Sequence, residues 1–166
     1  MSANVSSHFF ANRMFGSLSG LLLCVIAIGA LGCANAIPGV PFIAPSANPS
    51  EEIAQLGSEI ESARSDGLEY LAPTWFDRAA KSLRSARTGL DGGESVKEIL
   101  RRVAEGRGAL EQAQTFSEVA RQTLPDVIKA REDAIAAGAL ELGTRYEEVE
   151  EQFLELTEAI ENDDLN

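Results

Sequence analysis

The stretch TWFDRAAKSLRSARTGLD, residues 74–91, decides the fold class. Thr74 and Asp77 have the spacing of a capping box, in which a hydroxyl and an acidic side chain satisfy the first turn of a helix. The apolar residues that follow alternate in steps of three and four, the period of one helix face: Phe76, Ala79, Leu83, Ala86 and Leu90. The stretch therefore predicts an amphipathic helix that ends at Asp91, before two glycines.

The same combination of cap, apolar stripe and terminator recurs on both sides of this stretch. The five predicted helices begin at Asn48, Thr74, Ser95, Thr123 and Thr144, and they end near Gly67, Asp91, Gln122, Gly138 and Asn162. No segment after Glu51 has the alternation of a strand. The sequence predicts an all-α domain of elongated antiparallel helical hairpins, or a small bundle of about five helices, with the seven-residue rhythm of a coiled coil.

Two parts of this domain resemble each other. A shift of 70 residues superposes Thr74 on Thr144 and Leu83 on Phe153, so segments 63–93 and 130–163 form a predicted imperfect repeat. The alternative is that any two capped amphipathic helices align this well. We expect the acidic fifth helix to pack on the basic second helix, of the same chain or of another copy, with Glu148 or Glu151 near Arg78–Arg87.

Charge is distributed very unevenly along the chain. All 26 acidic residues lie at or after Glu51, against 14 basic residues in the whole chain. This acidity argues against nucleic acid as a partner, because phosphates would repel it. His8 is the only histidine, and Cys24 and Cys33 are the only cysteines. We therefore expect no catalytic residues, no metal site and no cofactor.

The N-terminal region has the pattern of an export signal over residues 1–32. Its apolar run, Leu18–Gly32, is shorter than the roughly 20 residues of a membrane-spanning helix. The run ends at Ala30-Leu31-Gly32-Cys33, which resembles a bacterial lipoprotein signal. That resemblance implies cleavage before Cys33 and acylation of the Cys33 sulfur, with palmitate or a similar chain.

Two other interpretations of this region stay open. Ala34-Asn35-Ala36 is a small-x-small pattern, and cleavage after Ala36 would release a soluble protein. An uncleaved anchor is the third interpretation, and either Met1 or Met14 is the start. Residues 33–49 contain four of the six prolines and form a predicted extended linker, so the helical domain spans residues 50–166.

A small set of residues on the second helix is the candidate interaction surface. Aromatic and basic side chains stand out there because the domain has few aromatics: Trp75, Phe76, Arg78, Lys81, Arg84 and Arg87. Packing in the core is the alternative interpretation for the two aromatics. A solvated face is the alternative for the basic residues.

Three short stretches resemble an uncharacterised alanine-rich helical domain of Gram-negative envelope lipoproteins: residues 72–83, 130–139 and 159–163. Members of that family often precede an OmpA-like peptidoglycan-binding domain, and we expect none in this chain. The resemblance implies a periplasmic location at the outer membrane, with peptidoglycan nearby and no established activity. We expect a lipid-anchored structural or interaction protein with a protein partner or a second copy. The alternative is a soluble periplasmic binding or chaperone-like protein.

Overall fold

The computed structural model describes residues 40–44 and 47–163, and this part of the chain contains six α-helices and no strand. The helices are α1 (Pro49–Ser65), α2 (Leu68–Leu71), α3 (Pro73–Asp91), α4 (Val96–Thr123), α5 (Pro125–Ala136) and α6 (Thr144–Glu161). A 3-10 turn, Ala139–Leu142, precedes α6. The all-α prediction is confirmed, and the short helix α2 is an addition to the five helices expected.

Two of the predicted helix starts form as their sequences indicate. At α1, the Asn48 side chain accepts a hydrogen bond from the Ser50 N–H at 3.0 Å and donates one to Glu51 at 3.0 Å. At α4, the Ser95 hydroxyl accepts a hydrogen bond from the Glu98 N–H at 3.3 Å. These caps satisfy backbone donors that have no partner inside the helix.

The other three predicted caps are wrong. Thr74 and Thr144 lie inside the first turns of their helices, after Ala72 and Gly143, and neither of those preceding residues provides a side-chain cap. Thr123 is the last residue of α4, and only Leu124 separates it from α5. The connections are too short to leave a separate capping residue, so the free donors of α3 find an acceptor elsewhere in the chain.

The main core lies between α1, α3 and α4, where α3 and α4 form an antiparallel hairpin across Gly92 and Gly93. Its fully buried residues include Leu56, Ile99 and Val103. Gly106 of α4 faces Leu56 so closely that an added Cβ would lie 2.7 Å from Leu56 Cδ2. Close packing is therefore the reason for a glycine inside this long helix.

The helix α6 packs over a second, smaller cluster formed with α2 and the end of α4. Leu71, Ala120, Phe153 and Ile160 are buried in it. The predicted apolar stripe of this helix is only partly covered, because Val149 remains 60% exposed and Leu156 36% exposed. Helix α5 has no buried residue at all. The α5–α6 arm is therefore joined to the domain mainly by the C-terminal half of α6.

The turn and the helix starts in the two segments of the predicted repeat recur at an offset of 71 residues, whereas the ends of the two long helices, Asp91 and Glu161, differ by 70. Gly67 and Gly138 both have positive φ, at 79° and 91°, and each precedes a four-residue helical turn. Helix α3 then begins at Pro73 and α6 at Thr144. The offset differs by one residue from the sequence superposition, and a common origin of the segments stays a prediction.

The predicted signal peptide, Cys33 and the first part of the linker lie outside the described residues. Within those residues, no helix is long and apolar enough to span a membrane. The end of the linker does contact the domain: Ile43 packs against the main core. Phe42, beside it, is 88% exposed.

Candidate functional site

The two aromatic residues of the candidate surface contribute to packing. Phe76 is only 6% exposed and belongs to the main core. The Trp75 ring stacks on Phe116 of α4, with the centroids 6.3 Å apart and the planes 8° from parallel. The Arg78 guanidinium also lies over the Trp75 ring, 4.4 Å from the ring centroid. The structure therefore agrees with the packing interpretation of Trp75 and Phe76.

The basic residues of the candidate surface form an exposed row along α3, which we call the basic row: Arg78, Lys81, Arg84 and Arg87. Lys81 pairs with Asp77 at 2.5 Å, and Arg84 lies 3.7 Å from the other oxygen of the same carboxylate. No carboxylate of α6 forms an ion pair with the row within the described part of the chain. The expected approach of Glu148 or Glu151 to the row is thus absent inside one copy.

A carboxylate of α6 instead meets the start of α3. The Glu161 Oε2 accepts a hydrogen bond from the Thr74 N–H at 2.9 Å, and Oε1 accepts one from the Trp75 N–H at 3.0 Å. Pro73 has no N–H, so these are the first two backbone donors of α3. The negative charge also lies at the positive end of the helix dipole. Glu161 therefore does the capping that the sequence assigned to Thr74.

The most enclosed polar cluster joins α5, α6 and α2 through Arg131. The Arg131 Nε donates to both oxygens of Glu150, at 3.1 and 2.9 Å, and the Tyr146 hydroxyl donates to Glu150 at 2.9 Å. The guanidinium also lies 4.1 Å from the Tyr70 ring centroid and 5.2 Å from that of Phe153. A bidentate, partly desolvated pair of this kind is among the stronger polar contacts in proteins.

This cluster changes the acid–base behaviour of its members. Burial favours the neutral form of Glu150, but the hydrogen bonds from Arg131 and Tyr146 outweigh it and hold its pKa below the usual range. Burial, followed by the hydrogen bond to Glu150, raises the pKa of Tyr146. The pair stays charged at neutral pH, so the arrangement holds helices together and leaves no group ready to transfer a proton. The sequence indication of this cluster is Arg131, a charged residue among the apolar positions of α5.

A second cluster joins α4 to α1. Arg107 donates to Glu52 at 2.6 Å and to Glu59 at 3.1 Å, and its Nη2 is buried without a hydrogen-bond partner among the described residues. Beside it is an open cleft of about 350 Å³, which Pro41 of the linker helps to line. The remaining charged groups of the cleft, Asp66 and Glu111, are acidic. Pro41 thus brings the end of the linker against this cleft, in whose lining three acidic residues surround the single basic residue Arg107.

The candidate residues predicted from the sequence therefore have two different roles. The two aromatic residues pack inside the domain, and the four basic residues lie exposed on α3.

Within residues 40–44 and 47–163, no group of three or more histidine, cysteine or acidic side chains is arranged to hold a metal ion. Cys33, the predicted lipidation site, lies outside this part of the chain. No protein-family model, curated protein or solved structure matches the chain. The resemblance to helical envelope lipoproteins accordingly stays a prediction.

Proposed function

We propose that this chain is a membrane-anchored bacterial lipoprotein with a structural or interaction role in the cell envelope. Its lipid anchor is on Cys33, and its helical domain faces the periplasm from the outer membrane. The observation that carries the proposal is the apolar run Leu18–Gly32 that stops at Gly32-Cys33 and leads into a proline-rich linker. A signal of this length followed by a stiff spacer suits an anchored domain.

The contact between linker and domain supports a short tether. Ile43 packs against the main core, and it is the tenth residue after Cys33. At no more than about 3.6 Å per extended residue, the distance between the two is at most about 36 Å. A lipid on Cys33 would therefore keep the domain close to the bilayer.

The positions of the charged side chains on the surface support an interaction role. The basic row of α3 is exposed, and α6 presents an acidic outer face with Val149 and Leu156 uncovered beside it. Two exposed faces of opposite charge are suited to a contact between proteins. We propose a protein partner or a second copy, with peptidoglycan as a neighbour.

The test of the anchor compares two cysteine substitutions in the full chain. Cys33→Ser should prevent acylation, leave the precursor uncut and abolish stable membrane association. Cys24→Ser is the matched control, because Cys24 lies within the apolar run behind Leu23, and it should be processed normally. Membrane fractionation with palmitate labelling measures both effects.

The same experiment distinguishes the alternative of a soluble periplasmic protein. Normal release of the Cys33→Ser variant into the soluble fraction, with a mature start at Ile37, would overturn the lipid anchor. Cleavage after Ala36 would then be the correct interpretation. Loss of processing in both cysteine variants would show a general defect of the apolar run, and it would also contradict a specific role for Cys33.

A further inference from the structure

We infer that α6 of one copy docks on the basic row of α3 in a second copy. The contact pairs Glu148, Glu151 and Glu155 with the row. This inference names the partner for the interaction role proposed above and rests on that role, but it does not depend on the lipid anchor.

Three carboxylates on the outer face of α6 have no partner in one copy among the described residues. Glu148, Glu151 and Glu155 are exposed, and none forms an ion pair or a side-chain hydrogen bond in the part of the chain that the structure describes. Two other carboxylates of the helix make its contacts with the rest of the chain, since Glu150 pairs with Arg131 and Glu161 caps α3. The outer acidic face is thus left for another molecule.

The basic row is equally available. Arg87 has no carboxylate partner among the described residues, and Arg78 has only the Trp75 ring. Lys81 and Arg84 share the single carboxylate of Asp77. The row winds around α3, so Lys81 and Arg84 at its centre share one surface, and their two positive charges against the carboxylate of Asp77 complement the acidic face of α6 in sign.

The spacing of the two sets matches a common mode of helix packing. The basic row follows the i±3 ridge of α3, and its nine-residue length covers about 14 Å. On α6, Glu148 lies in one i±4 ridge, with Gln152 and Leu156, while Glu151 and Glu155 lie in the neighbouring ridge. An i±3 ridge of one helix fits the groove between two i±4 ridges of another at a crossing angle of about 20°.

A partly exposed apolar residue of α6 fits the same contact. Leu156, which is 36% exposed, lies in the Glu148 ridge and borders this groove, whereas Val149 lies one ridge further round the helix. The α3 surface opposite offers long basic side chains, and the hydrocarbon stems of lysine and arginine cover apolar surface while their charged ends reach carboxylates. A second copy therefore supplies both the charges and the apolar cover that α6 lacks.

The test uses two charge-reversed variants of the full chain, alone and mixed. The first carries Glu148→Lys with Glu151→Lys, and the second carries Lys81→Glu with Arg84→Glu. Each variant alone should self-associate at least about tenfold more weakly than the wild type. The reason is that like charges then face each other wherever α6 of one copy meets the basic row of another. An equimolar mixture should recover association, since every contact between unlike copies joins opposite charges.

Sedimentation equilibrium in a non-ionic detergent measures the association, and a rise in salt from about 0.05 to about 0.5 M should weaken it in the wild type. The control variant Glu118→Lys with Glu132→Lys has the same change in net charge as the first variant, at exposed positions that form no ion pair among the described residues, and it should associate normally. Because the mixture must recover binding, misfolding of a variant cannot imitate the result.

Three outcomes would overturn the inference. The wild type could be monomeric up to about 100 µM, where a contact of this kind would be populated. The variants could associate as strongly as the wild type, or the mixture could fail to recover association. In the first case, binding of the monomer to anionic vesicles through Lys81 and Arg84 would assign the row to lipid headgroups. All three results are independent of the test on Cys33.

Discussion

Removal of the Glu161 carboxylate tests the way in which α6 is held on the domain. Glu161→Ala leaves the N–H groups of Thr74 and Trp75 without their acceptor. Loss of a helix cap costs about 1–2 kcal/mol, and hydrogen bonds to a charged acceptor contribute about 1.5–3 kcal/mol. Water can replace part of the loss because the site is only partly buried, so we expect a decrease of about 2 kcal/mol in the free energy of unfolding.

Urea unfolding of the full chain, followed by circular dichroism, measures this change, and the midpoint should fall by about 1 M. The matched control is Glu158→Ala, one turn earlier on α6, whose side chain makes no contact of this kind in the described residues. It should change stability by less than about 0.5 kcal/mol. Equal stability of the two variants would refute the assignment of Glu161 as the cap of α3.

Three further predictions concern other contacts. Because Arg131 holds the pKa of Glu150 below its usual range, the pair stabilises the fold above the unfolded pKa of about 4.3 and loses this effect as the pH falls. The difference in unfolding free energy between wild type and Glu150→Gln should therefore be constant from about pH 8 to about pH 5 and shrink at lower pH, and a difference that grows on acidification would contradict the sign. Gly106→Ala should destabilise the chain by up to about 2 kcal/mol in urea unfolding, because about 1–3 kcal/mol of strain from a Cβ 2.7 Å from Leu56 Cδ2 outweighs the roughly 1 kcal/mol that alanine gains over glycine in a helix, and a raised midpoint would contradict the close packing. Ile43→Ala should release the linker, so that limited proteolysis cuts it faster than in the wild type, whereas equal cleavage rates would contradict its docking on the core.

The helices themselves were largely predictable because their signals are local. Asn48 and Ser95 cap within three residues of their own helices, and the stripe from Phe76 to Ala86 fixes the buried face of α3. These interactions depend on helical period and on neighbours in sequence. The cap at α3 could not be predicted in this way, since Glu161 lies 87 residues after Thr74. Nothing near Ala72 indicates which remote acceptor replaces the missing side chain.

The candidate surface was harder to predict than the fold. An apolar stripe indicates which side of a helix can be buried, and it does not say what covers it. Phe153 and Ile160 are covered by α2 and α4, whereas Val149 on the same stripe is not. Arg131 was visible only as a charged residue on an apolar face, and its role depends on Tyr70 and Glu150 from two other helices. Such constellations arise from packing between distant segments.

The mass of the mature N-terminal peptide from the membrane fraction tests the central claim most directly. The account predicts a chain that begins at Cys33 and carries the added mass of acyl groups on that residue. The linker and the helical domain should follow it without further modification. An unmodified peptide that begins at Ile37, or a membrane-bound chain that retains residues 1–32, would contradict the lipid anchor.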